Sequence, residues 1–166
     1  MRIRFWQVLL LVVVAALASC SKSKFYEYKG PQVTKVEIFK DARVMRLFHG
    51  QQLLKQYEVE LGFEAKGHKQ FEGDGKTPEG RYIIDRRNPE SSFYLSLGIS
   101  YPNARDRAYA EFRGKSPGGD IFIHGQPNLL APRGPDWTAG CIAVTDDEMR
   151  EIYAMVKNGT VVELFP

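Results

Sequence analysis

Only two of the 166 residues are cysteine, Cys20 and Cys141, so no framework of several disulfides can hold this chain together. Its three histidines, His49, His68 and His124, occur in no His-x-His, Glu-x-His or His-Glu-x-x-His spacing. The sequence therefore supplies no metal site, and a zinc peptidase reading is weakened. Neither sign of charge dominates, with 23 Lys and Arg against 20 Asp and Glu, which gives no electrostatic case for a nucleic-acid partner. Internal repeats, long charge runs and low-complexity tracts are all missing. The one long uncharged run, residues 5–18, is shorter than the roughly 20 residues of a comfortable membrane span. A phosphate loop is suggested by Gly75-Lys76-Thr77 but fails, because position 70 is Gln and Pro78 blocks the helix that should follow. EGDGKTPEG (72–80) reads instead as a turn into a strand at Arg81. Nothing in the sequence calls for a cofactor.

The N-terminus orders Arg2 and Arg4, then the apolar run, then small residues, as a secretory signal does. Its end, Leu17-Ala18-Ser19-Cys20, resembles the lipobox of bacterial lipoproteins. That resemblance implies cleavage after residue 19, acylation of Cys20 and attachment to a membrane through the N-terminal lipid. With Ser21 following Cys20, it implies an outer membrane in a cell that has one. The expected organisation is a signal peptide over 1–19, a polar tether over 20–32 ending in Gly30-Pro31, and one domain over 33–166. Removing Arg2 and Arg4 leaves 21 basic and 20 acidic residues in the mature chain. It also leaves Cys141 as the lone thiol of an exported protein. Such a thiol is a reactive group, an intermolecular partner, or a buried inert side chain.

The domain reads as mostly β. Residues 33–39 and 43–49 flank a short turn as a hairpin. In 51–61, Leu53, Tyr57, Val59 and Leu61 alternate, with Lys55 the exception, as on a half-buried strand. Residues 81–85, 120–124 and 160–165 predict further strands. One clear helix follows a Thr145/Glu148 capping box, with Met149, Ile152, Tyr153 and Val156 at helical spacing and Asn158-Gly159 as its stop.

The chemistry concentrates in IFIHGQPNLLAPRGPDWTAGCIAV (121–144). His124 ends an interior strand and precedes Gly125. Cys141 follows seventeen residues later, directly after Gly140. A thiol is mostly protonated at neutral pH, and only the thiolate is a strong nucleophile. A neighbouring imidazole can take that proton and stabilise the thiolate as imidazolium. A glycine before the nucleophile lets backbone N–H groups approach an oxyanion. His49 and His68 read as structural or solvent-facing.

The His-Gly pair, the loop of this length and the Thr-Ala-Gly-Cys-Ile run together resemble the catalytic signature of the YkuD-like L,D-transpeptidases, enzymes of peptidoglycan. GDGKTPEGRY is similar to that family's Gly-Asp-x-x-Thr-Pro-Glu-Gly-x-Tyr stretch. DWTAGCIAV and SYPNARD (100–106) resemble its YafK-like branch. The resemblance implies a β-sandwich-like domain with a mixed sheet and one main supporting helix. It implies Cys141 as nucleophile, His124 as base, and the Gly140 and Cys141 amides as oxyanion hole. Trp137, Thr138, Tyr101 and Arg105 are then the candidate substrate contacts. Many members carry His where this chain has Ala139, and Arg or Asn where it has Ala143. The implied reaction is acyl transfer at the meso-diaminopimelate of a peptidoglycan stem peptide, releasing D-Ala. Alternatives are hydrolysis of stem or lipoprotein–peptidoglycan linkages by the same machinery, and a non-catalytic wall-binding lipoprotein. Expected partners are stem peptides, a wall-attached lipoprotein and the membrane of the cell envelope.

Overall fold

A computed structural model describes residues 23–126 and 134–166, so the signal segment and Cys20 lie outside the described residues. Eight strands form one sheet in the order β3-β2-β1-β8-β4-β5-β6-β7. β1 (Lys35–Phe39), β2 (Val44–His49) and β3 (Gln52–Glu58) form an antiparallel meander. β8 (Val161–Phe165) returns beside β1 in parallel, and β4 (Gly80–Asn88) pairs antiparallel with β8. β5 (Ser96–Ile99) and β6 (Phe122–His124) continue antiparallel, and β7 (Ile142–Ala143) lies parallel to β6. The sheet is therefore mixed, and it curls. Just past β3, Glu60 bridges to Ala143 and Gly62 to Thr138, so chain leaving one edge meets the opposite edge.

The alternation read from the sequence holds where one face is buried: Val36, Ile38, Met45 and Leu47 are inside. It fails at Leu53, which is 49% exposed. The register slips between Leu47 and Phe48, so Leu47 faces Lys55 and Phe48 faces Leu53. The bulge reverses the face of every residue beyond it, and Leu54 packs on the core in place of Leu53. Lys55 stays on the buried face and reaches out to Glu151 at 3.0 Å.

Two helices are present among the described residues. α1 (Ala104–Phe112) was not legible as a helix, although Asn103 and Asp106 form a complete capping box. Only Asp106 and Ala110 are buried along it, so the apolar stripe that reveals a helix is missing. α2 (Asp146–Met155) is the expected helix, with its Thr145/Glu148 box and with Met149, Ile152 and Tyr153 buried. β5 and β7 also escaped sequence reading, because all their residues are buried and no alternation marks them. Residues 23–32 form neither helix nor strand, yet Tyr28 packs against the core and Lys24 Nζ donates to Pro89 O at 2.6 Å.

Candidate active site

β6 and β7 position His124 and Cys141, the two candidate reactive residues. Their parallel register pairs Ile123 with Ile142 and His124 with Ala143. Side chains alternate along a strand, so His124 and Cys141 fall on the same face of the sheet. Ile123 and Ile142 point the other way, into the core. His124 and Cys141 line a single groove of about 590 Å³ with Asn88, Ser91, Phe93 and Asp120.

The turn carrying Cys141 is held by backbone contacts on several sides. Thr138 N donates to Leu61 O at 3.1 Å, and Phe63 N to Thr138 O at 2.9 Å. Thr138 Oγ1 donates to Cys141 O at 2.8 Å and accepts from Gly140 N at 3.1 Å. Gly140 has φ of +133°, and a Cβ there would lie 2.6 Å from Lys76 O. Position 140 must therefore be glycine for both conformation and space. A Cβ on Gly62 would overlap Gly75 O and lie 3.0 Å from Gly140 Cα, so three glycine-bearing segments meet beside Cys141. The 72–80 loop supplies one of these segments: Asp74 accepts from the N–H groups of Gln70, Phe71 and Lys76, and buried Thr77 accepts from Gly62 N. Upstream, Asp136 accepts from Arg43 Nε at 3.0 Å and from Leu61 N at 3.0 Å, and its own N–H donates to Glu60.

His124 is 3% exposed, with Phe93 at 4.4 Å and Trp137 edge-on at 5.7 Å between ring centroids. Its Nδ1 lies 2.7 Å from Gly125 O. A carbonyl only accepts, so Nδ1 carries the proton and Nε2 keeps its lone pair. Burial pushes the imidazole pKa down, opposed by the Gly125 contact. Burial pushes the Cys141 thiol up, opposed chiefly by a Phe122 backbone hydrogen bond. Both shifts favour the neutral forms. The Cys141 thiol donates to Asp120 O at 3.5 Å, and no hydrogen bond links it to His124 among the described residues.

Several expected contacts fall elsewhere. Gly140 N–H, expected at an oxyanion, is committed to Thr138; the Cys141 amide has no acceptor among the described residues. Thr138 is 3% exposed and organises the turn, so it has no face to offer a substrate. Tyr101 is buried and donates to Pro117 O at 2.9 Å. Arg105, on α1, lines a different groove. Trp137 remains beside His124. His68 accepts from Glu79 N and contacts Asp106, whereas His49 is exposed near Gln32 O. Ala139 is exposed and Ala143 wholly buried. Sequence reasoning missed Asp120 and Phe93. Asp120 has φ of +54° after Gly118-Gly119, a turn signal with no chemical mark, and Phe93 has no local signal at all. Among the described residues no group of three or more His, Cys, Asp or Glu is placed to hold a metal ion.

Comparison with known proteins agrees with this geometry. YafK of Escherichia coli K12, provisionally named an L,D-transpeptidase, is 33% identical over 132 residues. That match covers 76% of this chain and 48% of YafK, so the chain spans about half the length of the curated relatives it matches. The helical cell shape determining protein Pgp2 of Campylobacter jejuni superposes with TM-score 0.64 at 27% identity, covering 87% of this chain and 51% of Pgp2. Bd1075 of Bdellovibrio bacteriovorus has the same fold, with TM-score 0.59 at 23% identity over 85% of this chain and 50% of its own. The model of the L,D-transpeptidase catalytic domain, YkuD, matches residues 34–164, and the chain belongs to that family.

Proposed function

We propose that this domain is a cysteine acyltransferase acting on peptidoglycan stem peptides at meso-diaminopimelate, with Cys141 as nucleophile and His124 as base. The observation that carries this reading is the placement of His124 and Cys141 on one face of the β6–β7 pair, in one groove. Substrate binding expels water, the thiol turns from Asp120 O towards His124 Nε2, and the proton passes to the imidazole. The thiolate attacks the carbonyl of the L-centre. The Cys141 N–H receives the tetrahedral oxyanion. His124 imidazolium then protonates the departing D-Ala amine, leaving a thioester on Sγ. An amine from another stem, or from a wall-attached lipoprotein, takes the acyl group; His124 accepts its proton. Trp137 and Phe93 wall the imidazole and keep its other face dry.

Hydrolysis of the same thioester is the second reading. It is favoured by Ala139 and Ala143, which place no polar side chain where many family members could hold an acceptor. The test is mass spectrometry of muropeptides incubated with purified protein and a supplied amine acceptor. Cross-linked or amine-exchanged products that vanish in Cys141→Ala support acyl transfer. Free hydrolysed stems dominating at saturating acceptor would replace it with hydrolysis. Unchanged muropeptides would leave the wall-binding reading.

The envelope placement belongs to the same proposal. Acylated Cys20 anchors the domain, residues 1–19 are removed, and 20–32 spans to the domain at Val33. Cys20→Ala should release the protein from the membrane fraction or block its processing. Normal fractionation with unchanged mass would overturn the anchor.

A further inference from the structure

A second groove of about 590 Å³ lies between α1 and the start of β4, lined by residues that the acyl-transfer mechanism does not use. Its acidic members are already engaged. Glu79 accepts from buried Lys40 at 2.8 Å, and Asp106 accepts from Tyr82 OH at 2.9 Å and Asn103 N at 2.9 Å. Lys69 is held by Asp74 at 2.9 Å, but the two arginines of the lining are not held in this way. Arg105 is exposed with no ion pair among the described residues, and Arg81 has only Glu163, 3.9 Å away, while 71% of its side chain is exposed. Tyr109, also in the lining, stacks on Phe71 at 6.0 Å. Arg113 caps Tyr109 at 5.3 Å and Lys115 caps Phe71 at 4.5 Å. Arg105 and Tyr109 on α1, and Arg113 at its C-cap, recur at a spacing of four. A nearly neutral mature chain therefore gathers two arginines in one groove and two further cations on the stacked rings beside it.

We propose that this groove and its aromatic ledge are a second, non-catalytic binding site for the wall polymer, taking an anionic glycopeptide strand outside the reacting stem. Carboxylates sit on Arg81 and Arg105, and further along on Arg113 and Lys115, which the Tyr109–Phe71 stack supports. Concavity favours a strand over a bilayer, because Arg81 and Arg105 line a groove that a flat surface does not enter. β4 connects the two sites: Arg81 is at one end of the strand, and Asn88, at the other, lines the Cys141 groove. Seven residues at ~3.3 Å separate them by about 23 Å. A polymer that repeats its stem peptides can occupy both, and the second contact raises the effective concentration of stems at Cys141. The proposal rests on the peptidoglycan reading above.

The test uses the full chain carrying Cys141→Ala, co-sedimented with purified peptidoglycan sacculi, alone and with Arg81→Glu and Arg105→Glu together. Binding should weaken by about tenfold or more on charge reversal, and salt should weaken the parent in the same direction. In the active chain, the double reversal should raise the apparent KM on sacculi while leaving turnover of a soluble stem tetrapeptide unchanged. Arg81→Gln with Arg105→Gln, checked by thermal melting, guards against misfolding and should show a smaller loss. Unchanged sacculus binding overturns the site, as does a parallel loss on the soluble peptide. Binding to vesicles containing an anionic phospholipid that depends on Arg81 and Arg105, with sacculus binding unaffected, reassigns the surface to lipid and overturns it too. If the active chain turns over no stem peptide, the proposed reaction fails, while a charge-dependent sacculus signal still upholds this site.

Discussion

The two ends of the sheet are built by different means. At the β1–β3 end, β1 and β2 alternate more and less buried side chains, and all three strands are joined by antiparallel ladders of five or six residue pairs. At the β5–β7 end, strands of four, three and two residues are almost wholly buried. Two-residue β7 cannot fix Cys141 by its ladder alone. Loops do it: the 72–80 turn pressed under Gly140, Thr138 bonded inside the turn, and Asp136 tied to Arg43 and Leu61. Ladder hydrogen bonds make a stable edge, whereas packed loops make a defined site. The loops also contain the buried ions, with Lys40 on Glu79 and Lys69 on Asp74.

The strongest way to break this contrast is to remove the reactive pair. Cys141→Ser and His124→Ala should each lower turnover by about 10³-fold or more, with the double variant scarcely worse, because the two act as a unit. Melting should change little, since neither holds the turn. Near-wild-type turnover in either variant would refute their roles. The directions of the two pKa shifts also give a pH signature. Iodoacetamide alkylation of Cys141, followed by mass, should be slow at pH 6 and climb through a midpoint above the ordinary thiol value of 9.0. A plateau already reached below pH 8 would show an ion pair instead. The linkage follows the same signs. The lowered His124 pKa withdraws stability as pH falls from 6.5 through the folded value, and the raised Cys141 pKa withdraws it as pH rises from 9.0.

Next in size is the floor of the turn. Gly140→Ala places a Cβ 2.6 Å from Lys76 O at φ of +133°. Backbone must move, costing about 1–3 kcal/mol and displacing the nucleophile. Turnover should fall by about 10²-fold, against a modest fall in melting temperature. Unchanged kinetics would mean that Cys141 does not depend on this packing.

The clamp upstream is weaker, because Arg43 is partly solvated. Asp136→Ala strands Leu61 N and the Arg43 guanidinium, and should cost about 1–2 kcal/mol. kcat should drop by about tenfold with a smaller change in KM, as expected for a loss of positioning. Asp136→Asn keeps an acceptor for Leu61 N and should recover part of the loss. Equal loss in both variants would assign the effect to charge and not to the backbone contact.

These regions differed equally in how well the sequence announced them. Periodicity gave β1, β2, β4, β8 and α2, because each buries one face and its residues repeat with the element. It could not give β5 or β7, where Leu97, Ile99, Ile142 and Ala143 are all inside and no polar phase exists. α1 was lost for the opposite reason, since little of it is buried. The sequence singled out His124 and Cys141 by residue type and neighbouring glycines, and the fold brings the two into one groove. Their surroundings were not singled out. Thr138 and Tyr101 looked like contacts by type, but burial and hydrogen bonding turn both inward. Asp120 joins the site through its carbonyl, an atom every residue has.

The smallest expected effect tests the other end of the sheet. Alternation alone put Leu53 on the buried face with Tyr57, so Leu53→Lys would there cost as much as any core loss. The bulge at Leu47/Phe48 instead turns Leu53 outward, 49% exposed, and gives its place to Leu54. A lysine at 53 then keeps its head in water and its stem on the strand, so the change should stay within about 0.5 kcal/mol. Leu47→Ala, on the buried side of the same ladder at 0% exposure, should cost about 2–5 kcal/mol. Chemical denaturation of both variants measures the difference directly. A Leu53→Lys penalty approaching that of Leu47→Ala would place the strand in the unbulged register, and the regular end of the sheet would then obey sequence periodicity without exception.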